Sequence, residues 1–431
     1  MILFYRLLFL PCLVFVLPYY LLRMFKRGGY TKGFKNRIGI YNQVPLKRKK
    51  RIWIHAVSVG ELFSISKLLE ELTLQKDFQV FLTTTTSTGF AAAKEKYSSL
   101  VDYISVFPID FVPFSKNAWE TFNPDCIIMM DSEVWPEHLY QAKKRKVPAL
   151  LINARLSDRS FNRYKKFKWI QNMFLKRFTV ILASTQQDYQ RILELKIPPN
   201  QVEFCGNLKF DVTAPAENLE AIRKEIRKEL FQLEAEDPIP WILLGSSTWP
   251  GEERMLIKAF MNIRKNGIHA RLILVPRHAE RKNEIVRELK LSQMNWHQRS
   301  ICKSPDNQKI DIYLADTTGE LKHISQVADL AFIGKSMHPN QGGQTPIEAA
   351  SLSIPILFGP NMSNFKDISQ SLLQAGAAIE VQNNHDAERK LIEILQNPLK
   401  MKSMGDAGRQ WHNNNLGATQ KAVETIHQLI S

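Results

Sequence analysis

Residues 52–72 read Ile-Trp-Ile-His-Ala-Val-Ser-Val-Gly-Glu-Leu-Phe-Ser-Ile-Ser-Lys-Leu-Leu-Glu-Glu-Leu. The segment opens at 52–57 as a short run rich in β-branched and aromatic residues, the composition of a buried strand. Gly60 permits a tight turn out of it, and Leu62, Ile65, Leu68, Leu69 and Leu72 then recur at helical spacing. A strand that runs straight into an amphipathic helix is half of a βαβ unit. Such units build parallel sheets covered by helices.

The same alternation extends along the chain. Further strands are expected at 79–84, 103–107, 126–130, 149–153, 180–183 and 202–204, and a second series at 241–244, 271–275, 312–314, 330–333, 356–357 and 378–381. Between the series, residues 217–236 are charged and of helical pattern, and Asp237-Pro238-Ile239-Pro240 ends them, because each proline lacks an amide donor and restricts the residue before it. The fold class is therefore α/β, with two tandem Rossmann-like doubly wound domains. The expected divisions are a membrane anchor at 1–25, an amino-terminal domain at 26–215, a linker at 216–240 and a carboxy-terminal domain at 241–431. Ligand crevices in such a pair are expected at the carboxyl ends of the strands, facing each other across a cleft.

Composition sharpens this frame. The 431 residues are 44% hydrophobic and 23% charged, which excludes both wholesale disorder and a small disulfide scaffold. The formal net charge is +16, yet residues 1–60 hold twelve Lys and Arg and no Asp or Glu, leaving 46 basic against 42 acidic groups in the remainder. A near-neutral body argues against a nucleic-acid partner. Ahead of the basic stretch, residues 7–22 carry no charge, although Pro11 and Pro18 interrupt them and the run is short for a spanning helix of about 20 residues. Either a short span or an interfacial anchor fits, with the basic flank on the cytoplasmic face. A cleaved signal peptide does not fit, since the basic cluster follows the apolar run and no small-x-small pattern comes after it. The scattered Cys12, Cys126, Cys205 and Cys302 form no C-x-x-C pair and read as small hydrophobes in a reducing compartment.

Several strand-end segments could carry chemistry. Glu61 falls in a first helical turn, where it either complements the helix dipole or accepts a proton from a hydroxyl nucleophile. Asp131-Ser132-Glu133 follows an apolar run, and this acid-x-acid pair suits a divalent metal, the positioning of a reacting group, or the capping of a helix opened by Pro136. Lys209, within Gly206-Asn207-Leu208-Lys209-Phe210-Asp211, either stabilises charge on a phosphate leaving group or is simply solvated.

The second half offers Gly245-Ser246-Ser247-Thr248 ahead of Gly251-Glu252-Glu253, a helix start suited to an anion. Pro276-Arg277-His278 and Asp316-Thr317-Thr318-Gly319-Glu320-Leu321 are further turns at strand ends. In Gln341-Gly342-Gly343-Gln344-Thr345-Pro346-Ile347-Glu348, paired glycines could bring amides to a phosphate and Glu348 could accept ribose hydroxyls, or the glycines could make a structural turn.

Taken together and in order, these segments, with Asn153-Ala154-Arg155-Leu156-Ser157, resemble the Kdo transferases of lipopolysaccharide assembly, which add 3-deoxy-D-manno-octulosonic acid (Kdo) to the lipid A precursor. The resemblance covers nearly the whole chain. It implies a GT-B glycosyltransferase architecture, a CMP-Kdo donor in the second domain and a lipid A precursor acceptor on the first, at the cytoplasmic face of the inner membrane. By position, Glu61 corresponds to the general base of an inverting displacement, and Asp131 and Lys209 to groups that stabilise its transition state. Pro276, Arg277, Thr318, Gly319, Glu320, Thr345, Pro346, Ile347 and Glu348 match the segments around CMP. No metal and no cofactor are implied. Three positions depart from the family pattern: Asp131-Ser132-Glu133 replaces Glu-Thr-Glu, Gln344-Thr345 replaces His-Asn, and Trp249 stands where a histidine often follows Ser-Thr. A GT-B glycosyltransferase with a different nucleotide-sugar donor is the alternative reading.

Overall fold

The apolar runs assemble into two seven-stranded, wholly parallel sheets. The computed structural model describes residues 2–27, 33–167, 174–213, 218–232, 239–302 and 310–430. In the first sheet β1 (Lys50–His55), β2 (Phe78–Thr84), β3 (Tyr103–Val106), β4 (Cys126–Met130), β5 (Ala149–Ala154), β6 (Val180–Ala183) and β7 (Val202–Phe204) lie in the order β3-β2-β1-β4-β5-β6-β7. Successive side chains point to opposite faces, and both faces are covered. Ile52, Ile54, Val80, Leu82, Ile128 and Ile152 enter one core, while Trp53, Phe81, Ile127, Met129 and Leu151 enter the other. Each such fully buried Leu or Ile stabilises the fold by roughly 1.5–3 kcal/mol.

The second sheet contains β8 (Trp241–Thr248), β9 (Ala270–Pro276), β10 (Trp296–Gln298), β11 (Ile312–Leu314), β12 (Leu330–Ile333), β13 (Ile356–Phe358) and β14 (Ala378–Glu380), in the order β10-β11-β9-β8-β12-β13-β14. All the expected strands are present. The addition is β10, a three-residue edge strand of sequence Trp-His-Gln, which has neither an apolar run nor an alternation to announce it.

The chain divides into two compact units, Met1–Val212 with Asn415–Ser431, and Thr213–Asn414. The second unit therefore stops short of residue 431. The last helix, Ala418–Ile430, places Ala418, Ala422, Val423 and Ile426 in the core of the first sheet. Asp211 caps it, accepting the amides of Gly417 at 2.8 Å and Thr419 at 2.6 Å. The expected linker is also different in kind, because its helix Leu219–Phe231 packs within the second unit and Arg227 forks onto both oxygens of Asp329 at 2.8 Å. Residues 233–238, with the expected Asp237-Pro238 stop, lie outside the described residues.

At the amino terminus a helix runs over Ile2–Arg27 with Pro11 and Pro18 inside it. Among the described residues no helix is long and apolar enough to cross a membrane, so a spanning anchor is not supported. The first turns instead pack on the first unit. The Tyr5 hydroxyl donates to Asp110 at 2.7 Å, and the Phe9 ring stacks on Phe111 at 5.1 Å.

Candidate functional site

In the first sheet the strand order reverses between β1 and β4, and a doubly wound sheet binds ligands at the carboxyl ends of that pair. The chain leaving β1 enters the helix Val59–Ser64 with Ser58 as its cap. Glu61 reaches back over the helix start: its carboxylate accepts the Val57 amide at 2.8 Å and the Ser58 hydroxyl at 3.1 Å, while the Ser58 side chain caps no helix amide. Its helix-start role and its placement at the crevice thus coexist. The group is only half-buried, and a carboxylate has further acceptor positions beyond these two.

Asp131 leaves β4 in a left-handed conformation, φ 53°. Asn153, also left-handed at φ 52°, lies where β5 shifts register against β6, and it donates from Nδ2 to Asp131 Oδ1 at 2.5 Å. Left-handed non-glycine residues are strained, and Asp131 and Asn153 place two of them together near the ends of the paired strands β4 and β5. Lys209 stands on the short helix Leu208–Val212, which packs against the helix of Glu61.

The electrostatics tie these residues together. Burial pushes the Glu61 carboxyl above its ordinary value, with the Asp131 charge adding to the rise and the Val57 amide, Ser58 and Lys209 opposing it. Burial pushes Lys209 down, while Asp131 and Glu61 hold it up and Arg155 lowers it further. Glu133 is pushed up to about 7 by burial, then by Glu61 and Asp131. The structure thus brings together Glu61, Asp131 and Lys209, and adds Glu133, Arg155 and Asn153 to them. Among the described residues no group of three or more His, Cys, Asp or Glu could hold a metal ion.

The nucleotide candidates all lie in the second unit. Pro276 ends β9, and the exposed Arg277 donates its amide to the Thr248 carbonyl at 3.1 Å. β9 pairs with β11, after which Thr318 and Gly319 form an exposed turn with open space around Gly319, φ 90°. Glu320 is committed elsewhere: Arg299 Nε donates to its two oxygens at 3.0 and 2.9 Å, which holds the carboxyl below its ordinary value. Thr345 and Pro346 lead into the helix Ile347–Ser351. Glu348 on that helix is raised by burial and opposed by Lys322, which follows Glu320 in the helix Leu321–Ile324, so the two segments are electrostatic neighbours.

Two expected anion cradles turn out differently. Glu252 itself occupies the amides at its turn, accepting Trp249 at 2.9 Å, Lys335 at 2.8 Å, Ser336 at 2.9 Å and Met337 at 3.1 Å. The amides of Gly342 and Gly343 go to the carbonyls of Asn361 and Lys335, each at 3.0 Å. Those glycines serve close packing, since a Cβ would meet Asn364 at 2.5 Å and the Met362 sulfur at 2.4 Å. A sequence has no signal for this, because the partners are remote.

Comparison with known proteins identifies relatives of the chain. Residues 32–212 match the family described as 3-Deoxy-D-manno-octulosonic-acid transferase (kdotransferase). The 3-deoxy-D-manno-octulosonic acid transferase of Haemophilus influenzae is 30% identical over 428 residues, covering 98% of this chain and 97% of that one. That of Bordetella pertussis is 29% identical over 395 residues, covering 90% and 89%. Among solved structures, a glycosyltransferase from Rickettsia africae has a TM-score of 0.56 at 14% identity, covering 89% of this chain and 99% of that one. A UDP-GlcNAc 2-epimerase from Neisseria meningitidis has a TM-score of 0.61 at 14% identity, covering 88% and 100%. At such identities these two show the fold alone, a pair of doubly wound units of the GT-B kind. The near full-length relationship to the curated transferases shows the rest: the chain belongs to the 3-deoxy-D-manno-octulosonic acid transferase family of glycosyltransferases.

Proposed function

We propose that this chain moves Kdo from CMP-Kdo to a lipid A precursor, with inversion at the anomeric carbon, in lipopolysaccharide biosynthesis. The observation that carries the reading is the electrostatic grouping of Glu61, Asp131 and Lys209 at the strand-order reversal of the first sheet, in a chain of this family. An acceptor hydroxyl gives its proton to the Glu61 carboxylate as its oxygen bonds to the anomeric carbon. The bond from that carbon to the phosphate oxygen breaks, and CMP leaves with the electron pair. Lys209 offsets negative charge developing on the departing phosphate, and Asp131 offsets positive charge on the sugar ring. The segments at Pro276-Arg277, Thr318-Gly319-Glu320 and Thr345-Pro346-Ile347-Glu348 hold CMP.

The reading extends to location. The protein works on the cytoplasmic face of the inner membrane, resting on it rather than crossing it. In support, Leu3, Phe4, Leu7, Val14 and Phe15 expose their apolar side chains on the first helix, and the first 60 residues carry only basic charges.

Incubation of the full chain with CMP-Kdo and a lipid A precursor, read by mass spectrometry, tests the proposal. The expected product is heavier by one or more Kdo units. An unmodified acceptor, with turnover of another nucleotide sugar in a parallel panel, overturns the donor assignment.

A further inference from the structure

Asp131 and Lys209 come from distant parts of the sequence, and a single side chain lies between their supports. Asn153 donates from Nδ2 to Asp131 Oδ1 at 2.5 Å, and its Oδ1 accepts the amide of Leu208 at 3.3 Å. Leu208 opens the helix that carries Lys209, whose own amide is fixed by Asn207 Oδ1 at 3.0 Å. Asn153 is 2% exposed and has a left-handed backbone, a conformation asparagine tolerates better than other non-glycine residues. The backbone around it is tied as well: the Asp131 amide donates to Ile152 and the Arg155 amide donates to Asp131, at 3.0 and 3.1 Å.

The chemistry of the bridge selects an amide. One end must donate to a carboxylate and the other must accept from a backbone amide, and a primary amide does both in one planar group. A carboxylate at this position would lack the donor and repel Asp131. A leucine of similar volume would leave the buried Leu208 amide without its acceptor and the half-buried Asp131 without this donor.

We infer that Asn153 is a positioning residue for transfer, holding Asp131 and the Lys209 helix in fixed register so that the two act on the same reacting centre. The inference rests on the catalytic reading of Asp131 and Lys209 given above.

Two variants test it. Asn153→Gly removes the amide and keeps the left-handed backbone without strain, so it isolates the bridge from the fold. The expected result is a kcat lower by about tenfold or more, a KM for CMP-Kdo within about threefold of wild type, and amide exchange at Leu208 faster by about tenfold. Asn153→Asp keeps the volume but places a carboxylate among Asp131, Glu61, Glu133, Lys209 and Arg155. Protonation of the new carboxyl restores a donor, so the activity of this variant relative to wild type rises as pH falls, which a merely structural lesion does not produce.

An Asn153→Gly enzyme whose kcat and Leu208 exchange both stay within about twofold of wild type overturns the inference, as does an Asn153→Asp ratio that is flat with pH. Wild-type protein that transfers no Kdo overturns the functional reading instead. Leu208 exchange then still decides whether Asn153 holds the helix.

Discussion

Arg6 meets Glu137 in a two-point ion pair, Nε to Oε2 at 2.8 Å and Nη2 to Oε1 at 2.9 Å. Glu137 is fully buried and lies in the first turn of the helix Pro136–Arg145, which continues directly from the loop of Asp131 and Glu133. The start of that helix is held a second time by Asp110, which accepts the amides of Glu137 at 3.1 Å and His138 at 3.0 Å, and Asp110 in turn accepts the Tyr5 hydroxyl. The amino-terminal helix is thereby tied to the helix that follows the loop of Asp131 and Glu133.

Arg6→Met breaks that connection while conserving most of the side-chain volume. It leaves the Glu137 carboxylate buried with Gln141 Nε2 as its remaining side-chain donor, at 2.8 Å. The expected loss of stability is about 2–4 kcal/mol, because removing one partner of a buried pair strands the other. Combining it with Glu137→Gln recovers much of the loss, since no buried charge is then left uncompensated. Urea unfolding of the full chain measures both, and additive losses in the double variant refute the coupling.

Glu61→Gln tests the base. The amide is nearly the same shape, so the helix start survives, but it cannot take a proton. Transfer should fall by about 10²–10⁴-fold with CMP-Kdo binding unchanged within about twofold. Titration calorimetry with the donor and rate measurement with the acceptor separate the two effects. Undiminished turnover removes Glu61 from the chemistry.

Glu133 sets the pH dependence. Its carboxyl is pushed up to about 7, first by burial and then by the charges of Glu61 and Asp131. Loss of the Glu133 proton near neutrality therefore adds a negative charge beside an already ionised Glu61, which makes Glu61 a stronger base. Glu133→Gln stays neutral at every pH, so the inflection of kcat near pH 7 should disappear. An inflection that persists in the variant shows that Glu133 is uncoupled from the base.

The sheets were legible because each buried strand is a β-branched run bounded by turn residues, and the site strand ends followed from them. Glu61, Asp131 and Lys209 were singled out through the family resemblance that their segments carry in order, and the structure shows that the three interact. Their shared support could not be read in this way, since Asn153 works through contacts 22 and 55 residues away. The return of the last helix to the first sheet was equally hidden. An amphipathic pattern says that a helix covers a sheet but not which one, and here Asp211 decides by capping it. Gly342 and Gly343 misled for the same reason: glycine signals a close approach without naming what approaches.

Arg299 offers a test confined to the second unit. Its guanidinium holds both oxygens of Glu320, Glu229 at 3.1 Å and the Tyr313 hydroxyl at 3.0 Å, and it is 5% exposed at the side chain. Glu320 follows the exposed Thr318-Gly319 turn, so the fork fixes the backbone of a segment assigned to CMP. Lysine keeps the charge but is a single point with no fork, and it cannot serve three partners at fixed angles. Arg299→Lys should weaken CMP binding by roughly fivefold to fiftyfold while kcat at saturating donor changes little. Glu320→Gln should produce a loss of similar size, and the double variant little more than either alone, because both remove the same contact. Calorimetric CMP titration of the three variants gives the cycle. Affinity within about twofold of wild type in Arg299→Lys means that the turn holds its shape without the fork, and the placement of CMP against Thr318-Gly319-Glu320 then loses its structural support.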